Sequence, residues 1–63
     1  MNNDLENLTK TLHSIQFAIS DLKPVLKTNN LLLVELVMPS LKTLNEQELK
    51  IKNLIAILYT LFS

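Results

Sequence analysis

The side chains able to do chemistry are few. His13 stands beside Ser14, six carboxylates are spread over Asp4, Glu6, Asp21, Glu35, Glu46 and Glu48, and six lysines occur with no arginine and no cysteine. A serine and a histidine make a nucleophile–base pair only when the ring can reach the hydroxyl, and adjacent residues on a helix point about 100° apart. His13 therefore reads as a solvated helix-surface residue. One histidine without cysteine cannot assemble a metal site, and a chain without glycine cannot form a phosphate-cradling loop. Helix caps, the helix dipole and solubility account for the carboxylates. The expectation is a protein that is not an enzyme and has no cofactor, metal or small-molecule substrate.

Glu35 is the sharpest single candidate, because it is the one charge in "LLLVELVM". A carboxylate ringed by leucines suits an ion pair with a partner's lysine. On a helical wheel, however, Glu35 shares one narrow face with Pro39 and Lys42, which reads as a side turned to water. Phe17 lies amid Lys10, Ser14 and Asp21, an aromatic on a polar face and so a candidate partner contact. Lys42, Lys50 and Lys52 read as solubilising.

These residues must be carried by a chain of 63 residues with equal numbers of acidic and basic side chains. A chain this short buries only about 60% of the surface exposed when unfolded, and here no disulfide or metal staples it. Balanced charge gathers neither nucleic acid nor anionic lipid, and the absence of arginine counts against base readout. Nucleic acid is not an expected partner. The opening "MNNDLENLTK" lacks the basic-then-apolar block of a secretory signal, and the apolar runs fall short of the roughly 20 residues that cross a bilayer. The expected location is intracellular and cytoplasmic, with the nucleus as the alternative.

With no glycine and two prolines, the chain reads as helices joined by few turns. Leu5, Leu8, Leu12, Ile15, Ile19, Leu22 and Leu26 recur at alternating spacings of three and four, a heptad seam of the coiled-coil kind. Asn3 with Glu6 offers a capping box at its start, and Pro24 falls outside the seam, so a kink is expected there. Asn29 and Asn30 mark a corner, through a left-handed C-cap and a fresh N-cap. A second helix follows with Leu33, Val34, Val37, Leu41 and Leu44 on its broad apolar side. In "LNEQEL", Asn45, Glu48 and the pair Leu44/Leu49 match a capping box and hydrophobic staple, predicting a third helix striped by Ile51, Leu54, Ile55, Leu58 and Phe62.

The fold class predicted is all-α: a single domain over 1–63, a small three-helix hairpin or bundle with helices at about 4–28, 31–44 (kinked at Pro39) and 46–62. The first helix, at about 37 Å, would outrun the other two and leave part of its seam open. The fold would then be completed by oligomerisation or a partner protein. The expected function is a protein–protein interaction module that self-associates or docks into a larger helical complex as an assembly, adaptor or regulatory factor. Its candidate interface is Leu5, Leu8, Leu12, Ile15, Phe17, Ile19, Leu22, Leu32, Leu36, Ile57 and Leu61. The alternative is a membrane-surface amphipathic helical protein making peripheral contact through "NLIAILYTLF", with Tyr59 and Phe62 as anchors.

Overall fold

The computed structural model describes the backbone of residues 2–62 and the side chains of residues 3–61. It is all-α, with no strand among the described residues. α1 runs over Asn2–Leu22, a tight 3-10 turn over Lys23–Lys27, and α2 over Leu31–Phe62. The two helices pack side by side in opposite directions, and the result is a hairpin rod of 49 × 14 × 12 Å.

α1 follows its heptad. Leu5, Leu8, Leu12, Ile15 and Leu22 are half-buried and Ile19 is buried, while Glu6, Asn7, Lys10, His13 and Ser14 are exposed. Residues three and four apart share a helix face, so this spacing delivers one continuous stripe to α2. Asn3 does not cap the helix from outside, since α1 already includes Asn2. The seam also ends earlier than predicted. Pro24 enters the first turn of the 3-10 segment, where its fixed φ and missing N–H are tolerated. The tighter winding of about three residues per turn brings Val25 inward and leaves Leu26 exposed.

The corner is made without any left-handed residue. Thr28 is extended (φ −68°, ψ 155°) and its N–H donates to the Val25 carbonyl at 3.1 Å. No residue among those described has positive φ, so the predicted left-handed asparagine is replaced by this extended threonine. Its Oγ1 accepts from the Asn30 N–H at 3.3 Å. Asn30 is the N-cap that its type suggested: its Oδ1 accepts from the N–H groups of Leu32 (3.1 Å) and Leu33 (3.3 Å), and its carbonyl takes the first helical bond from Val34. Such a cap stabilises a helix by about 1 kcal/mol.

The largest departure from expectation is in α2. Two helices were predicted over 31–44 and 46–62, and the chain forms one helix of 32 residues. At 1.5 Å per residue such a helix is about 48 Å long, close to the full length of the molecule, so it runs through Pro39 without a break. Asn45 and Glu48 lie inside it and cap nothing. The inward residues show why: Val34, Val37, Leu41, Leu44, Glu48, Ile51, Ile55 and Leu58 alternate at three and four across the supposed break. A helix that keeps this register meets the α1 stripe along its whole length. The α1 seam is therefore covered by the chain's own second helix, and what stays open is the outside of α2.

Little is buried deeply. Among the described residues only Ile19 (7% exposed) and Leu41 (8%) count as core. The radius of gyration is 14.8 Å, against about 11 Å for a compact chain of this length.

Candidate interaction surface

The α1–α2 seam holds one polar layer. Gln16 Nε2 donates to Glu48 Oε2 at 3.1 Å, and the same oxygen lies 3.7 Å from Lys52 Nζ, one helical turn on. Glu48 occupies a seam position between Leu44 and Ile51, but its side chain keeps 24% exposure, so water and Lys52 share its charge. A polar residue at one seam position fixes the alignment of two helices at some cost in stability. Replacing Glu48 by leucine completes the apolar heptad and is expected to raise stability by about 1–2 kcal/mol. Chemical denaturation checks this; a lower midpoint would show that the Gln16 bond outweighs the added apolar contact.

Outside the seam, α2 presents two flanks. The flank beside the α1 residues Asp4, Asn7 and Thr11 begins with Leu33 and Leu36 and ends with Leu54, Ile57 and Leu61, all exposed. Between these two clusters the same stripe carries Ser40, Thr43, Gln47 and Lys50, so its only charge is Lys50. The spacing is again three and four throughout. Near the open end of the hairpin this flank forms a shallow groove with Leu8, Leu54, Ile57 and Leu58 in its walls. The other flank carries Leu31, Met38, Leu49 and Tyr59, also exposed, but Glu35, Lys42, Asn45 and Lys52 interrupt it. Met38, Leu41 and Leu49 line a second shallow groove with Leu26, Lys42, Asn45 and Glu46.

The predicted interface residues divide into two groups. Leu5, Leu8, Leu12, Ile15, Ile19 and Leu22 face α2 inside the hairpin, whereas Phe17, Leu32, Leu36, Ile57 and Leu61 stand exposed. Phe17 is 70% exposed and borders a small hollow with His13, Gln16 and Ser20. Leu31, Leu33, Met38, Leu49, Leu54 and Tyr59 are also exposed, although Leu33 and Leu54 were expected on inward stripes, Leu49 in a staple and Tyr59 as a membrane anchor. Carrying the 34–37–41–44 spacing onward through Glu48 would have found Leu33 and Leu54, the seam's immediate neighbours. Glu35, Pro39 and Lys42 are all exposed, as their shared wheel face implied. The side chain of Phe62 lies outside the described residues.

No group of three or more His, Cys, Asp or Glu side chains able to hold a metal ion occurs among the described residues. Nor is any described helix long and apolar enough to cross a membrane. His13 and Ser14 diverge on the exposed side of α1. The surface of α2 thus carries an apolar stripe on either side of the seam. Comparison with protein-family models, with curated proteins and with solved structures yields no match for this chain.

Proposed function

We propose that this chain is a non-enzymatic protein–protein interaction module, a small helical subunit that self-associates or docks into a larger helical complex as an assembly, adaptor or regulatory factor. The observation that carries this reading is the exposure of apolar side chains along both flanks of α2 in a hairpin with two core residues among those described. Exposed apolar surface organised in stripes at helical spacing is the form in which helices recognise other helices. Its accessible surface is 5076 Å², about 1,000 Å² more than a compact monomer of 7.2 kDa presents.

Sedimentation of the purified chain tests the reading. The expected result is a mass above 7.2 kDa, or an insoluble chain that co-expression with a partner brings into solution. A stable, monodisperse monomer at tens of micromolar overturns it.

A second reading, peripheral membrane contact, draws on Ile57 and Leu61 on one flank and Tyr59 on the other, all exposed at one end of α2. An amphipathic helix with an aromatic at its apolar edge can lie in the headgroup boundary. Flotation with neutral and with anionic vesicles distinguishes it, since a protein-only interface leaves the chain at the bottom of the gradient.

A further inference from the structure

Resting on the interaction reading, we infer that the occupant of the Leu33–Leu61 stripe is a second copy of this chain, packed with its α2 antiparallel to the first. Three observations select that occupant. The first is area. Each hairpin exposes about 1,000 Å² of surface beyond that of a compact monomer, and a standard protein interface takes about 800 Å² from each partner. The second is charge: six basic and six acidic residues leave no net repulsion between copies, and the stripe bears one charged residue, Lys50.

The third is the order of residue types along the stripe. With a two-fold axis beside Asn45, Leu33 of one copy meets Ile57 of the other and Leu36 meets Leu54. In the middle, Ser40 then meets Lys50 and Thr43 meets Gln47. From Leu33 to Ile57 every apolar residue faces an apolar one and every polar residue a polar one, over a contact about 36 Å long, and Leu61 lies beyond it. A two-fold axis parallel to the helices would instead place Lys50 directly against Lys50 of the other copy, a like-charge contact in the centre of the interface. The antiparallel dimer avoids that contact. The opposite flank of α2 is the weaker candidate, because Glu35, Lys42 and Lys52 put three charges into its run against one in this stripe.

The chain has no cysteine, so single thiols can be placed at will. The variants Leu36→Cys and Leu54→Cys, both at exposed positions, are oxidised separately and after mixing under non-denaturing conditions. The antiparallel register gives a cross-linked dimer from the mixture and little from either variant alone, because each residue lies roughly 27 Å along the axis from its own copy. Sedimentation of the unmodified chain is expected at twice 7.2 kDa. Leu36→Lys is expected to sediment as monomer with unchanged helical circular dichroism.

The outcomes separate the two levels of the argument. An associated particle in which Leu36→Cys cross-links efficiently to itself, or in which Leu36→Lys associates as before, overturns the antiparallel stripe and leaves the interaction reading standing. An insoluble chain rescued only by another protein overturns the second copy and likewise leaves that reading standing. A monodisperse monomer overturns both.

Discussion

Pro39→Ala is expected to stabilise the protein by about 3 kcal/mol, the cost of a proline inside a helix. Pro39 stands near the first third of α2, is exposed, and lies on the side of the helix away from the α1 seam. Having no N–H, it leaves the Glu35 carbonyl without its usual helical donor, and water must serve that oxygen instead. Alanine restores the bond and removes the ring from the preceding turn without touching the packed face. Urea unfolding at fixed protein concentration measures the gain. An unchanged or lowered midpoint would show that packing of α2 against α1 depends on the proline's local geometry.

Leu41→Ala is expected to act in the opposite direction and about as strongly. Leu41 is one of two core residues among those described, and truncating a buried leucine to alanine costs about 2–5 kcal/mol through lost transfer energy and a residual cavity. A hairpin with so small a core has no reserve to absorb such a loss, so the variant should lose most of its helical circular dichroism at ambient temperature. Leu49→Ala is the control, because Leu49 is 61% exposed and its truncation should shift stability by less than about 0.5 kcal/mol. Equal effects at the two positions would mean that Leu49 is buried in solution, as it would be if the flank bearing it were covered.

Local signals in the sequence were legible where they agreed with the long-range pattern. The α1 stripe, the Asn30 cap and the outward face of Glu35, Pro39 and Lys42 were each readable from residue type and spacing. The continuity of α2 was not. Asn45 and Glu48 have the identities and separation of a capping box, but such side chains cap only where backbone N–H groups are free, and inside a helix those groups are already bonded. Glu48 compounded the difficulty, because a charged residue at a seam position looks like the end of an apolar run. What holds the helix together there is tertiary: Gln16, 32 residues away in sequence, supplies the donor that makes Glu48 acceptable in the seam. The open apolar surface lies elsewhere than expected for the same reason. Three short helices would leave part of α1 without cover; with one long α2, the α1 seam is satisfied and the unpartnered apolar residues lie on the flanks of α2.

Because the two helices are joined by so short a corner, the order in which contacts form is built into the hairpin. Residues near the turn, such as Leu26 and Met38, are close in the chain and come together with a short loop to close, whereas Leu8 meets Leu58 only after a loop several times longer has been drawn in. Each pair formed shortens the loop for the next. Folding can therefore proceed as a zipper running from the corner to the free ends, with Ile19 and Leu41 locking early and the outermost turns fraying first.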